Sequence, residues 1–417
     1  VHFPDANFRK YILSLNDNNH IFVNSDVTNI TSIYIYGKNI SSLKGIEYFI
    51  YLENLDCSKN NLENLALSKN VNLKWLDCRE NNLTKLNLLN NKLIEELYSD
   101  EKTLLSCPSE YIPIDSVHFP DANFRKVVKH LSGHDIFLIS EIKEEKEIRV
   151  HTGNISSLQG IEYFTEINEL DCCDNDLVSL DLSKNSKLEY LYCTDNKIVS
   201  IDISNSNIKK LLCDVDKIKE IICPPDYIPI DEVHFPDRNF RAELVSDANN
   251  NCIFSSSDIS NVYYLNTYYS LGISSLKGIE YFKELKQLSC QNNELVSLDL
   301  SQNTKLEYLE CTGNNIKRLD ISKNKIEYLF CDDTVEKIIC PAGYIPIDPV
   351  HFPDEAFRKA IVEENEDNRI FTSSNILDVS TIDVIDSKAS NLKGIEYFTE
   401  LNELYCYNNA LVSLDLS

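Results

Sequence analysis

The chain has 417 residues, which is more than a single hydrophobic core usually organises, so its length predicts several modules. It carries 66 acidic and 40 basic residues, a formal charge of −26 that repels phosphate backbones and argues against nucleic acid as a partner. The hydrophobic fraction of 43% predicts a folded chain. No apolar run approaches the roughly 18 residues of a membrane span, which argues against direct membrane insertion.

The tetrapeptide Val-His-Phe-Pro begins at residues 1, 117, 233 and 350, so a long unit recurs at spacings of 116, 116 and 117 residues. These boundaries predict four modules in tandem, at 1–116, 117–232, 233–349 and 350–417, the last of them truncated within a repeat. The sequence contains no Met and stops inside a repeat, so we expect it to belong to a longer protein.

Each module opens with a segment that predicts a short amphipathic helix. In the first module Pro4 suits a first helical turn, and Phe8 and Ile12 share one face at a spacing of four residues. We expect this helix and the turn after it to cover the open edge of the first coil, because a stack of repeats must cap its ends.

The turn that follows the predicted helix is rich in Asn and Asp, and its residues resemble the calcium loop of an EF-hand or dockerin. The third module alone keeps a plausible set of oxygen donors for calcium, namely Asp247, Asn249, Asn251, Ser255 and Asp258. Cys252 stands where that loop requires Gly for its sharp turn. We therefore expect a capping loop, with a calcium site in the third module as the alternative and no other cofactor.

A second period runs inside each module and is clearest in the second, where Cys172, Cys193 and Cys213 stand 21 and 20 residues apart. Leu170 and Cys172 are two residues apart on a predicted strand, so their side chains lie on one face and point inward. Asn175 then closes the strand with an amide that can bond to the backbone and tie one coil to the next.

These coils resemble leucine-rich repeats in which Cys takes an interior leucine position. That position is occupied by Cys57, Cys78, Cys172, Cys193, Cys213, Cys290, Cys311, Cys331 and Cys406. The recurring Leu-x-Gly-Ile turn, at Gly45, Gly160, Gly278 and Gly394, is similar to that of internalin-like bacterial surface proteins. The resemblance implies an α/β-type solenoid of leucine-rich-repeat coils with short parallel strands, interrupted by short helical cap segments.

The interior cysteines are expected to be free, buried thiols. Neighbouring parallel strands lie about 4.8 Å apart, but two side chains that both point inward do not turn toward each other as a disulfide requires. Cys173 should point outward, because it is adjacent to the inward Cys172. The linkers at 107–115, 223–231 and 340–348 each contain two or more prolines, so they should be stiff.

The sequence offers no defensible catalytic constellation. Four of its eight His open the copied modules, which favours a structural role for them. His130 and His134 have a helical spacing that suits a metal, but no third ligand stands at a matching step. We find neither a phosphate-binding loop nor a nucleophile elbow, so we expect this chain not to be an enzyme.

The residues that flank each inward pair should line the concave face of the sheet, where exposed aromatic side chains are typical anchors of protein interfaces. The predicted ligand-binding residues are Tyr192, Phe330, Tyr405, Tyr407, Asp77 and Arg79. A further aromatic column, at Trp75, Tyr190, Tyr308 and Tyr328, precedes the strand leucine. It either packs along the rim or contacts the ligand.

Together these features favour a recognition or adhesion module that binds protein or glycan, as the internalin-like resemblance implies for a protein at the cell surface or outside the cell. Two alternatives stay open. The chain could be the targeting region of a larger secreted enzyme whose catalytic domain lies outside it, or a calcium-dependent architectural surface protein. Neither the ligand nor the oligomeric state follows from the sequence.

Overall fold

The structure is a computed structural model that describes residues 2–19, 23–151, 153–267 and 272–416. It divides into two units, Val1–Asp214 and Val215–Ser417. The boundary lies inside the predicted second module, and the division into four modules stays a sequence prediction. Residues 20–22, at the end of the turn predicted after the first cap helix, lie outside the described residues.

The first unit contains four short helices and thirteen three-residue strands within its described residues. The helices are α1 (Ala6–Ser14), α2 (Asn24–Thr28), α3 (Ala122–Ser132) and α4 (Ile139–Ile142), with 3-10 turns at Ile46–Tyr48 and Ile161–Tyr163. The strands are β1 (Ser32–Tyr34), β2 (Asn54–Asp56), β3 (Trp75–Asp77), β4 (Lys85–Asn87), β5 (Glu96–Tyr98), β6 (Leu104–Ser106), β7 (Tyr111–Pro113), β8 (Ile136–Leu138), β9 (Glu147–Arg149), β10 (Glu169–Asp171), β11 (Tyr190–Tyr192), β12 (Ser200–Asp202) and β13 (Lys210–Leu212).

The second unit repeats the same kinds of element. Its helices are α5 (Arg238–Asp247), α6 (Ser256–Ser260) and α7 (Glu355–Glu364), with 3-10 turns at Ile279–Tyr281, Asn375–Asp378 and Ile395–Tyr397. Its strands are β14 (Glu220–Ile222), β15 (Tyr227–Pro229), β16 (Ile253–Ser255), β17 (Tyr264–Asn266), β18 (Gln287–Ser289), β19 (Tyr308–Glu310), β20 (Arg318–Asp320), β21 (Tyr328–Phe330), β22 (Lys337–Ile339), β23 (Ile345–Pro346), β24 (Ile370–Phe371), β25 (Thr381–Asp383) and β26 (Glu403–Tyr405).

One strand from each coil joins a parallel sheet. The sheets are β1-β2-β3-β5 and β9-β10-β11-β13 in the first unit, and β17-β18-β19-β21 and β25-β26 in the second. The register sets Leu55 beside Leu76 and Leu76 beside Leu97, and all three side chains are fully buried. The predicted fold, an α/β solenoid of leucine-rich-repeat coils with short parallel strands and helical cap segments, is therefore confirmed.

Buried Asn side chains fasten successive coils together, as the sequence predicts. Asn81 donates from Nδ2 to the carbonyls of Cys57 and Cys78, both at 3.0 Å, and its Oδ1 accepts the Leu62 amide at 2.9 Å. Asn81 therefore joins its own coil to the preceding one through groups that water does not reach.

The cap helix covers the first coil of its own module. Asp5 caps α1 with Oδ1, which accepts the amides of Asn7 and Phe8, and its Oδ2 accepts both the amide and the hydroxyl of Ser41 at 2.9 Å. The fully buried Phe8 and Ile12 pack into the same core as the coil leucines. The predicted capping role is thus confirmed for the helix.

The segment after the cap helix covers a second edge that the sequence analysis did not anticipate. The amide of Asp135 donates to the carbonyl of Leu97 at 2.8 Å, and that of Arg369 donates to the carbonyl of Leu329, also at 2.8 Å. Leu97 lies on β5 and Leu329 on β21, the edge strands of the preceding sheets. Each cap in these two cases therefore satisfies backbone groups of the module before it as well as its own.

The module-opening Phe and the Gly of the first coil pack against each other. Gly45 has φ 107°, a conformation that side chains disfavour, and a Cβ added to it would lie 2.4 Å from the Phe3 ring. Gly160, Gly278 and Gly394 meet Phe119, Phe235 and Phe352 at 2.2–2.4 Å in the same way. The two motifs that recur far apart in sequence are therefore one packing unit.

Candidate functional site

The outward side of each parallel sheet presents three columns of side chains, which we call the sheet face. They come from the first and third residue of each strand and from the second residue after it, because alternate side chains lie on the same side. In the first module these positions include Trp75, Asp77 and Arg79 on one coil and Tyr98 on the next.

The predicted binding residues Tyr405 and Tyr407 lie on this face with 44% and 59% of their surface exposed. Tyr192 and Phe330 also lie there, half-buried against neighbouring coils. Tyr405 donates from its hydroxyl to Glu403 Oε2 at 3.0 Å, and this hydrogen bond, with the charge of Glu403, raises the pKa of the phenol. All four therefore stand on the face that the sequence assigned to them.

The column formed by Trp75, Tyr190, Tyr308 and Tyr328 belongs to the same face, because each of these residues is the first of its strand. Tyr328 is 53% exposed, and so is Tyr264, the corresponding residue of β17. The other three residues of this column, Trp75, Tyr190 and Tyr308, are half-buried by their neighbours. The column therefore contains both packed and exposed aromatic side chains.

The sequence analysis missed four aromatic side chains of the sheet face: Tyr34, Tyr36, Tyr98 and Tyr264. They lie on the first coil of a module or on a coil that lacks Cys, so the Leu-x-Cys pattern did not reveal them. The alternation Ile33-x-Ile35 carries the same inward signal, and it would have placed Tyr34 and Tyr36 outward.

Asp77 differs from the other predicted binding residues because it is only 5% exposed. Arg79 covers it, donating from Nε to Oδ1 at 3.1 Å and from Nη2 to Oδ2 at 2.5 Å. The Arg79 guanidinium also lies 5.1 Å from the Tyr98 ring centroid, and Tyr98 and Trp75 are 6.0 Å apart. We call Trp75, Tyr98 and Asp77 the first notch, which Arg79 fills from within the chain.

A matching arrangement occurs in the third module. Tyr308 and Phe330 have ring centroids 5.6 Å apart at an interplanar angle of 45°, and the Tyr308 hydroxyl donates to Glu310 Oε2 at 3.1 Å. Burial, followed by this hydrogen bond, raises the pKa of Tyr308. We call Tyr308, Phe330 and Glu310 the second notch, beside which Thr312 takes the place that Arg79 has in the first.

Two of the five residues proposed for calcium, Ser255 and Asp258, form hydrogen bonds with each other at the start of α6. Ser255 caps α6 by accepting the Asp258 amide at 3.2 Å, and Asp258 Oδ2 accepts from the Ser255 amide at 2.8 Å and its hydroxyl at 2.6 Å. Asp247 ends α5, and partial burial, followed by the charge of Glu243, raises its pKa. Asn249 has φ 53° in the turn between them, which Asn251 completes before β16.

The Ser255 and Asp258 pair has a counterpart in every module. The amide of Val23 donates to Asp26 at 2.9 Å, that of Leu138 to Glu141 at 3.3 Å, and that of Thr372 to Asn375 at 2.6 Å. The side chains of Val23 and Leu138 cannot ligate a metal, yet their amides make the same hydrogen bond to a side chain three residues later. The recurring pattern fits helix capping better than calcium, and a calcium site in the third module stays a prediction.

Eight of the nine thiols at the interior leucine position are buried as the sequence predicts, whereas Cys406, which follows β26, is half-buried. Cys57, Cys172 and Cys290 are fully buried, and none of these three forms a disulfide. Burial, followed by the charge of Glu310, raises the pKa of Cys290 to about 12. Cys173 is half-buried on the sheet face and accepts a hydrogen bond from the Thr194 hydroxyl at 3.2 Å. The column cysteines therefore pack as small apolar side chains.

Two further properties of the described ranges, residues 2–19, 23–151, 153–267 and 272–416, bear on other functions. Within them, no three His, Cys, Asp or Glu side chains are grouped closely enough to hold a metal ion. None of the helices in those ranges has the length and apolar character that a membrane crossing requires.

Neither a protein-family model nor a curated protein sequence matches this chain. Solved structures that are similar include the functional domain of InlJ from Listeria monocytogenes, described as including a cysteine ladder, at 18% identity over 79% of this chain and 74% of that one, with a TM-score of 0.24. An internalin, inlF, from the same species is 16% identical over 82% and 90% of the two chains, with a TM-score of 0.26. A leucine-rich-repeat protein of Leptospira interrogans is 17% identical over 72% and 69%, with a TM-score of 0.21.

Because these TM-scores are low, the fold assignment depends on features of the chain itself. The parallel strand register, the buried Asn side chains that join successive coils and the buried leucines define a leucine-rich-repeat protein. The similar structures are internalins and other leucine-rich-repeat proteins.

Proposed function

We propose that this chain is a non-catalytic recognition protein that binds a protein partner through its sheet faces. The observation that carries the proposal is the alignment of exposed aromatic side chains on short strands fixed by a buried core. Tyr264 and Tyr328 belong to one such face, and Tyr405 and Tyr407 to another. Tyrosine is favoured at interfaces because it buries a large apolar area and keeps a polar hydroxyl.

Rigidity supports the same proposal. Strands of three residues, tied by buried Asn amides and packed on leucines, hold the outward side chains in place before a partner arrives, and this lowers the entropy cost of association. Because the outward residues differ from module to module while the inward ones repeat, the face is the part of the coil that can select a partner.

We place this activity outside the cell or at the cell surface, as the internalin-like resemblance implies. Labelling of intact source cells with an antibody against the chain tests the location. Signal that appears only after the cells are lysed would count against it.

An array of extracellular proteins and glycans, probed with the purified chain, tests the binding itself. The proposal is supported if a protein on the array binds the wild-type chain and the Val296→Ala variant but does not bind the Tyr328→Ala/Phe330→Ala variant. Val296 is 66% exposed and lies outside the sheet strands, so it provides a matched control. Binding to glycans alone, or equal binding by all three forms, would overturn the proposal.

A further inference from the structure

The first notch demonstrates which chemical group this surface holds. The Arg79 guanidinium makes two-point hydrogen bonds to Asp77 and lies over the Tyr98 ring, whose centroid is 6.0 Å from that of Trp75. A planar cation is suited to both contacts, because it pairs with a carboxylate in its plane and with an aromatic ring at its face.

The second notch is the same construction at the same register. Strands β3 and β5 are neighbours in the first module, as β19 and β21 are in the third, so Trp75 corresponds to Tyr308 and Tyr98 to Phe330. The backbone agrees: the carbonyls of Arg79 and Thr312 accept the amides of Lys59 and Asn292, at 2.9 and 2.8 Å. Thr312 therefore stands where Arg79 stands, with a side chain too short to reach into the notch.

No ion pair among the described residues supplies the second notch with a cation. None of the ion pairs among the described residues of the second unit includes Glu310, and its carboxylate accepts a hydrogen bond from the neutral Tyr308 hydroxyl instead. Glu310 is half-buried, so it would gain more from a cation than an exposed carboxylate does.

We propose that the second notch, formed by Tyr308, Phe330 and Glu310, binds an arginine side chain presented by a basic segment of the protein partner. This inference rests on the proposed recognition function and names the chemistry of the partner. The net charge of −26 favours the same partner, because it attracts basic surfaces over long distances. Arginine is preferred to lysine because the occupant of the first notch makes a bidentate contact that a point charge cannot reproduce.

The probe is N-acetyl-arginine amide, and its binding to the full chain is measured by saturation-transfer NMR. The matched control ligand is the neutral isostere N-acetyl-citrulline amide. Binding of the arginine compound that is at least about 5-fold tighter than that of the citrulline compound is expected. Glu310→Gln should remove this preference. Equal signals from the two compounds would overturn the proposal.

Two reciprocal substitutions localise the effect. Thr312→Arg should fill the second notch from within and abolish the arginine-specific signal, whereas Thr312→Ala should keep it. Arg79→Thr should open the first notch and create a new binding site, and Trp75, the sole Trp of the sequence, reports on it by fluorescence. An unchanged signal in Thr312→Arg, or no fluorescence response in a natively folded Arg79→Thr variant, contradicts the assignment.

The outcomes separate this inference from the proposed function. If the chain captures a protein through the sheet face but shows no preference for arginine over citrulline, the cation site is wrong and the recognition function stands. If the arginine compound binds but no extracellular protein does, the recognition function is wrong.

Discussion

Asp237 and Ser274 are joined by two hydrogen bonds of 2.8 Å, from the amide and the hydroxyl of Ser274 to Oδ2 of Asp237. The other oxygen of the same carboxylate accepts the amides of Asn239 and Phe240 at the start of α5. One side chain therefore starts the cap helix and fixes that helix to the first coil of its module. The same arrangement recurs at Asp5, Asp121 and Asp354.

This carboxylate makes stability depend on acid pH. Burial alone would raise the pKa of Asp237, but hydrogen bonds from Phe240, Ser274 and Ser275 outweigh burial and hold the pKa below its ordinary value. A group with a lowered folded-state pKa stabilises the fold above its unfolded pKa of about 3.9, and that stabilisation is lost as the pH falls through the folded value.

We expect Asp237→Asn to lower the free energy of unfolding of the second unit by about 1 kcal/mol at pH 7. The difference between the variant and the wild type should shrink as the pH falls below about 4, because the wild-type carboxylate is then protonated. Urea unfolding between pH 7 and pH 2 measures this difference. Glu336→Gln, at an exposed position, should leave the curve unchanged. A difference between Asp237→Asn and wild type that is constant with pH would contradict the assigned role.

The buried leucines of the strands should dominate stability. Leu191 is fully buried between coils, so Leu191→Ala should lower the free energy of unfolding by roughly 2–5 kcal/mol, and Leu191→Asp should unfold its module because it buries a charge without a partner. Calorimetry and circular dichroism provide the measurement. Val199→Ala, at a position 48% exposed, is the control and should change the melting temperature little.

The buried Asn side chains that join successive coils should also contribute to the free energy of unfolding. Asn196 donates to the carbonyls of Cys172 and Cys193 and accepts the Leu177 amide at 3.0 Å, all within the core. Asn196→Ala leaves these buried groups without partners and should cost about 2–4 kcal/mol in total. Asn90→Ala removes a single long, exposed hydrogen bond and should cost much less. Equal denaturation midpoints for the two variants would show that these buried Asn side chains do not hold the coils together.

The interior thiols should be chemically silent in the folded chain. Because burial is the main cause that raises the pKa of Cys290 and of Cys331 to about 12, few of these thiols are ionised at pH 8 and reagents do not reach them. Iodoacetamide at pH 8 should label both sites only in denaturant, as followed by peptide mass spectrometry. The half-buried Cys173 should label sooner, and faster labelling of Cys290 than of Cys173 in the native chain would disprove the burial assignment.

Tyr405 and Tyr407 separate binding from stability. Both side chains project from the sheet face, and neither is part of the described core. Replacing both with Ala should weaken capture of a protein partner identified on the array by about tenfold or more, with a melting temperature within about 1 °C of wild type. A large fall in melting temperature would mean that they support the fold instead.

The repeat period and the inward residues could be predicted from sequence because both signals are local. Leu170 and Cys172 alternate on one strand, and the next copy stands 21 residues on, so each coil restates the same packing rule. The outward position of Tyr405 and Tyr407 follows from the same alternation.

The remaining features depend on contacts that no short pattern encodes. Arg79 covers Asp77 and also lies over the ring of Tyr98, which belongs to the next coil, 19 residues further along the chain. Oxygens spaced like those of Ser255 and Asp258 serve a helix cap as well as a metal, so the residue types alone did not decide between the capping loop and the calcium site. The bond from Asp135 to Leu97 spans 38 residues without any periodic signal.

That bond has a consequence for how such chains grow. Because the caps that begin with Asp121 and Asp354 each bond to the last sheet strand before them and to the first coil after them, these two junctions cover a strand edge, and whole modules could be gained or lost without exposing one. Tandem duplication in frame would then yield folded descendants of different lengths, each free to vary its outward residues. The first notch has Arg79 where the second notch has Thr312, and duplication followed by divergence of outward residues permits such a difference.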